Sequence, residues 1–288
     1  MSPSPNLHPV SADRSPCAGE QPRPAPVHSR LPWVWWGAVL LFDLGALALL
    51  VDHRPLAALV VFLVPMPCLL PPLVVPSSAG FGPVVTRFST ERREVWLTID
   101  DGPDPVTTPP VLALLDDYQA RATFFLIGAK VARHPALVAE ILRRGHTVGN
   151  HTDQHPCFSF WCASPQRVAN EIDRCNEALR RAGAGPQRWF RPPVGIKSPF
   201  LHRQLAARGL DLIMWSARGY DSVRSPAAAL AKITRELKPG AIILVHETSR
   251  AGASHLALLT QLLDQLAQGG YTCVIPPAGN LRSGRSAA

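Results

Sequence analysis

Several signatures that would assign this chain at once are missing. None of its six cysteines (Cys17, Cys68, Cys157, Cys162, Cys175, Cys273) falls in a Cys-x-x-Cys pair, which removes the usual cysteine mark of a zinc or redox site. No basic run and no recognised nucleic-acid motif occurs, which sets nucleic acid aside as a partner. No segment repeats. The long apolar stretch near the N-terminus starts too late and has no small-residue cleavage site, so it does not read as a removable signal peptide. Residues 1–30 hold several prolines and no apolar periodicity, and are expected to be a disordered tail.

What is present is unevenly distributed. Residues 31–76 are almost wholly apolar, residues 77–94 read as a linker, residues 95–280 as one mixed-composition domain and residues 281–288 as a C-terminal tail. The net charge is +8, and residues 95–288 carry 22 Lys/Arg against 15 Asp/Glu, so the excess lies on the domain. That excess serves solubility or an anionic partner such as phosphate or acidic lipid.

Leu31 to Val51 contains one charge, Asp43, and Leu56 to Val75 is a second apolar run carrying Pro65, Pro67, Pro71 and Pro72. Each has the length of a bilayer crossing, and prolines are tolerated where neighbours satisfy the freed carbonyls. Arg14, Arg23 and Arg30 precede the first run, Arg87, Arg92 and Arg93 follow the second, and only Arg54 lies between. The positive flanks predict a transmembrane hairpin in the inner membrane with the domain on the cytoplasmic side. A failed second span would place the domain outside.

Within the domain, β-rich runs alternate with helical spacing. Strands are expected at Val95 to Ile99, Thr123 to Ile127, Thr147 to Gly149, Ala241 to Val245 and Tyr271 to Ile275. Helices are expected from Pro110 to Tyr118, from Ala136 to Arg144, after Ser164-Pro165, after Ser225-Pro226 and from Ser254. Repeated βα units imply parallel strands covered by helices, with chemistry at the carboxyl ends of the strands. Asp100 and Asp101 follow one strand, His151 another, and His246 ends a third. One carboxylate and two imidazoles suffice to hold a divalent metal with an open position, and the spare carboxylate beside them can act as a base. Arg191, Asp221 and His246 complete a set that points to metal-assisted hydrolysis.

These motifs in this order resemble the polysaccharide deacetylases, the NodB-like or carbohydrate esterase family 4 enzymes. Thr98-Ile99-Asp100-Asp101-Gly102-Pro103, His151-Thr152-Asp153-Gln154-His155, Arg191-Pro192-Pro193-Val194-Gly195 and Leu244-Val245-His246 carry the resemblance, with Ile99 and Val194 where Phe and Tyr are usual. It implies an α/β fold, a distorted and incomplete (β/α) barrel. Asp101, His151 and His155 would bind the metal, Zn²⁺ by preference, and Asp100 would be the base, oriented and charge-paired by Arg191. His246 would be the acid, partnered by Asp221. The Val194 N–H would receive the oxyanion, with Pro193, Trp215 and Arg218 among the substrate contacts. The fourth motif departs most: Arg218-Gly219-Tyr220-Asp221-Ser222 stands where Asp-x-x-Asp-Trp is usual, so Arg218 either grips a phosphate or is a salt-bridged loop residue. The implied activity is removal of an N-acetyl or other N-acyl group from an amino sugar. The predicted topology makes the expected substrate a lipid-linked or other cytoplasmic-face glycan precursor, and a domain outside would make it a cell-wall or exported glycan. A non-catalytic glycan- or lipid-binding relative is the competing class. Cys157 and Cys162, flanking Phe158 to Trp161, either form a disulfide loop or remain buried thiols. The aromatics between them serve as a lipid or sugar contact or as loop packing.

Overall fold

Strict alternation of side chains along two strands organises the molecule, whose computed structural model describes residues 31–247 and 252–284. In β2 (Glu94–Asp100), Val95, Leu97 and Ile99 join an outer core, whereas Trp96 joins the inner one. The sheet's period of two sends Thr98 and Asp100 to the same inner side as Trp96. β8 (Ala241–His246) repeats the pattern: Ala241, Ile243 and Val245 face out, Ile242 and Leu244 face in, and His246 follows them.

Upstream lie α1 (Leu31–Val51), α2 (Pro55–Leu63), α3 (Met66–Val74) and β1 (Val84–Phe88). After β2 come α4 (Thr108–Asp117), β3 (Ala122–Leu126), α5 (Gly128–Arg133), α6 (Pro135–Arg143), β4 (Thr147–Asn150) and α7 (Pro165–Arg181). Then follow β5 (Trp189–Phe190), α8 (Leu201–Arg208), β6 (Asp211–Leu212), β7 (Ala217–Arg218) and α9 (Pro226–Glu236). After β8, α10 (Gly252–Gln268), β9 (Thr272–Cys273) and β10 (Leu281–Gly284) complete the order. The strands run β10-β1-β8-β2-β3-β4-β5-β6, parallel from β8 to β6, with β1 antiparallel to both of its neighbours. The sheet curls until the Met214 N–H donates to the Val85 carbonyl at 2.8 Å. The expected distorted βα barrel is therefore the fold. Helices α4, α6, α9 and α10 pack on its outer face through Leu112, Leu115, Val138, Ile141, Ile233, Leu259, Leu263 and Leu266. Ser164 and Ser225 cap α7 and α9 by accepting the N–H groups of Arg167 and Ala228, as their Ser-Pro starts predict.

Three expectations are corrected. The linker assigned to residues 77–94 contains β1, and the tail assigned to 281–288 begins with β10, so the sheet extends past both boundaries. Neither strand alternates in a way that could be told from a loop, and they are strands because each supplies the other's edge. The second apolar run is not one span. Pro65 and Pro67 lack the N–H a continuous helix needs, and the run divides into α2 and α3, nine residues each. Side chains in α1 are described from Gly37, a stretch of roughly 22 Å. Among the described residues no helix is long and apolar enough to cross a membrane.

α1 and α2 pack through small residues, Ala46 and Ala58, and leave Leu41, Leu44, Leu47, Leu56 and Leu59 exposed. Because β1 is antiparallel to β8, its first residue lies at the carboxyl end of the parallel strands, and α3 is tied there. The Lys197 N–H donates to the Leu73 carbonyl at 3.0 Å, and its ammonium donates to the Val75 carbonyl at 2.6 Å. Burial pushes that ammonium down to about 8.

At Gly240, φ is 75°, and a Cβ would collide with the Phe88 carbonyl where β1 meets β8. Gly240→Ala is expected to lower the unfolding free energy by roughly 2–4 kcal/mol, summing a left-handed penalty and a packing clash. The urea midpoint measures this, and an unchanged midpoint would show that the corner is loose.

Candidate metal-dependent active site

The alternation that aims Asp100 inward delivers it to Arg191, which leaves the end of β5. Arg191 Nη1 donates to Asp100 Oδ1 at 2.7 Å and to Thr98 Oγ1 at 2.8 Å, Nε donates to the Ile213 carbonyl and Nη2 to the Met214 carbonyl. The guanidinium is fully buried and lies 4.2 Å from the centroid of Phe125. Every edge of the cation is used, so the Asp100 carboxylate is locked in direction.

Asp101 turns away with φ 75°, out of strand geometry. His151 follows β4, and its Nδ1 donates to the Arg191 carbonyl at 2.7 Å. That bond fixes the tautomer and leaves the Nε2 lone pair facing the site. His151 Nε2 lies 3.4 Å and His155 Nε2 3.2 Å from Asp101 Oδ1. Thr152 and His155 both have positive φ, and the turn is held by Glu171, which accepts the N–H groups of Asp153 and Gln154 at 3.0 and 2.9 Å. Among the described residues Asp101, His151 and His155 form a group whose ligand atoms lie within 4.8 Å of one another.

These residues fit a divalent metal. Asp101 Oδ1 is buried without a hydrogen-bond partner, between two imidazole nitrogens. Burial works to raise Asp101, but His151 and His155 hold its carboxyl well below the usual range. Burial, reinforced by His151, pushes His155 down to about 4, so its lone pair is available at neutral pH. Two nitrogens and one carboxylate oxygen suit Zn²⁺ with an open position.

Across the rim, His246 Nδ1 donates to Asp221 Oδ1 at 2.8 Å, and the His246 N–H donates to Asp221 Oδ2 at 2.7 Å. Burial would push the imidazole down, but Asp221, with Asp100 and Asp101 nearby, pushes it above its ordinary value. Val194 takes φ 50° and is exposed on the same rim after Pro193. Trp215 is buried beneath it, filling the space that a Cβ at Gly195 would need. Arg218 does not join the metal ligands: it lines a separate cavity with Trp215, Tyr220 and Lys232.

Three contributors escaped sequence reading. Cys157 Sγ lies 3.2 Å from His155 Nδ1, behind the ligand. Cys157 and Cys162 are free thiols, and Cys162 is exposed, so neither the disulfide nor the buried pair describes them. Glu247, fully buried and pushed up to about 7 by burial, accepts hydrogen bonds from Thr107 and Thr108 and so ties the loop after Asp101 to β8. The sequence signal was its position directly after His246. Lys197 had no nearby motif and is found only through its contact with α3. Phe158 is 94% exposed, which rules out loop packing for that side chain.

The profile of the family described as polysaccharide deacetylase matches residues 88–213. A peptidoglycan-N-acetylglucosamine deacetylase of Bacillus cereus is 31% identical over 202 residues, 67% of this chain and 91% of that protein. A chitooligosaccharide deacetylase of Bradyrhizobium sp. is 37% identical over 159 residues, 54% of this chain and 71% of that protein. Among solved structures, a family 4 pseudoenzyme of Bacillus anthracis aligns with a TM-score of 0.59 at 26% identity, over 66% of each chain.

Removing the Asp221 charge should lower the His246 titration midpoint, followed by imidazole NMR in Asp221→Asn. A folded value above the unfolded one means that this pair stabilises the fold below the unfolded value, and that the contribution fades as pH rises through the folded value. An unmoved midpoint in the variant would remove Asp221 as its cause.

Proposed function

The chain belongs to the polysaccharide deacetylase family, and from that premise we propose that it removes the N-acetyl group of an amino sugar in a cell-wall or exported glycan. It is a hydrolase of carbohydrate N-acetyl amide bonds. The observation that carries the reading is the joint geometry of the Asp101, His151 and His155 donors with the Arg191–Asp100 pair and the Asp221–His246 pair at one rim.

Asp101, His151 and His155 would hold Zn²⁺. When bound, that ion polarises the acetyl carbonyl and acidifies a water. Asp100 Oδ2 lies 3.7 Å from His151 Nε2, beside the residues that would hold the metal, and takes the proton of the attacking water while Arg191 balances its charge. His246, oriented through Nδ1 by Asp221, presents Nε2 to the scissile nitrogen and protonates the departing amine. The Val194 N–H receives the developing oxyanion, and its left-handed backbone aims that donor away from helical pairing. Pro193 and Trp215 shape the floor. The products are acetate and a free amino sugar.

The fold also carries a pseudoenzyme. Against a non-catalytic role stand the ligands, base and acid, all retained here and in contact with their partners. Asp100→Asn should lower acetate release from N-acetylglucosamine oligomers by at least about 10²-fold while bound zinc, measured by mass spectrometry, stays stoichiometric. Full activity in that variant would sink the assignment of the base. Absence of metal-stimulated release in the native chain would favour the non-catalytic reading.

The cytoplasmic placement expected from a two-span hairpin requires a second crossing, and α2 and α3 are each roughly 14 Å long. With residues 31–36 included, α1 has 21 residues, about 32 Å, and is the proposed single anchor. Arg14, Arg23 and Arg30 then hold the N-terminus inside and put the catalytic domain outside. Alkaline phosphatase fused after Ala288 should be active and a fluorescent protein fused there dark. The reverse pattern would restore the hairpin and a cytoplasmic glycolipid substrate.

A further inference from the structure

A cavity of about 320 Å³ opens between β1, α9 and the stem that leaves α3, lined by Ser77, Thr86, Arg87, Trp215, Arg218 and Lys232. None of the metal ligands reaches it. The Arg218 guanidinium lies over two aromatic rings, 4.9 Å from the Trp215 centroid and 4.5 Å from the Tyr220 centroid. Stacking holds a guanidinium rigid while leaving its edge donors to point elsewhere. Its Nε is buried and has no hydrogen-bond partner among the described residues.

The charges around this arginine are lopsided. Arg224 and Lys232 stand over the same Tyr220 ring at 5.4 and 5.6 Å, and Arg87 adds a fourth cation. The one carboxylate in the lining, Glu236, is already engaged: Oε2 accepts the Arg218 N–H at 3.0 Å, and Oε1 pairs with Lys232. Like charges crowded against an apolar wall, with a desolvated donor left over, are costly until an anion arrives. A single carboxylate would leave most of these donors unused, whereas a tetrahedral phosphate offers oxygens in several directions, and the hydroxyls of Ser77 and Thr86 extend the donor set.

We propose that this cavity is a phosphate-binding site, in which Arg218, Arg87 and Lys232 share the oxygens of a phosphate ester. The inference rests on this cavity alone and not on the deacetylase reading. The ester can be a bilayer headgroup, since the Pro76–Ser77 stem brings the apolar helices to its edge, or the phosphate of a soluble or glycan-borne ester.

Two measurements on the full zinc-loaded chain in detergent or with vesicles test the site. Calorimetric titration with inorganic phosphate should give binding that weakens at least tenfold in Arg218→Gln and in Arg87→Gln but persists in His151→Gln. Cosedimentation should favour phosphatidylglycerol over phosphatidylcholine vesicles. Loss of that preference in Arg87→Gln and Lys232→Gln identifies the headgroup as the source, and an unchanged preference with weakened phosphate binding identifies a soluble ester. Phosphate binding that disappears in His151→Gln yet survives in Arg87→Gln would belong to the catalytic metal and overturn the proposal. So would a native chain that binds neither probe, or variants equal to it in both assays. Thermal melts of the variants guard against misfolding, and Lys232→Gln, at a half-buried position of α9, provides a second reading if Arg218→Gln is unstable.

Discussion

A buried ion pair runs through the middle of this molecule. Arg191 and Asp100 meet at 2.7 Å inside the barrel, both essentially without solvent, and an unpaired charge there would cost several kcal/mol. The guanidinium also bonds Thr98 and the carbonyls of Ile213 and Met214, so one side chain joins β2, the end of β5 and the segment after β6. That is the region where the sheet closes through the Met214–Val85 bond. Closure of the barrel and orientation of the proposed base, Asp100, are the same set of contacts.

Around that pair the backbone is strained where chemistry needs it. Among the described residues, the non-glycine residues with positive φ are His53, Asp101, Gln119, Thr152, His155, Val194 and Tyr220, and five of these seven lie in loops that carry site or rim residues. Such conformations persist only where surrounding structure imposes them. Here Glu171 holds the His151–His155 turn, Glu247 holds the loop after Asp101, and Lys197 joins the Val194 loop to α3. The helices whose leucines stand exposed are thus mechanically continuous with the loop that would bind the oxyanion. The electropositive cavity lies at their base, giving the domain's excess of Lys and Arg a particular location.

Much of the site was legible because metal ligation and acid–base chemistry demand particular residue types at strand ends. Asp100-Asp101, His151-x-x-x-His155, Arg191, Asp221 and His246 stood out by type and order, and the βα alternation placed them on one rim. β1 and β10 were not legible, because each is a strand only by pairing with the other and with β8. Nor was the break at Pro65 and Pro67, where composition alone reads as one apolar run. Local pattern determined that Asp100 and His246 stand at the carboxyl ends of strands, and therefore that they share one rim. Only the tertiary structure decided that Arg218 lies over the Trp215 and Tyr220 rings in a cavity of its own, that Lys197 clasps α3 and that Glu247 reaches Thr107. These contacts join residues far apart in the chain, and the free energy of burying a charge or leaving it unpaired depends on neighbours that only folding brings together.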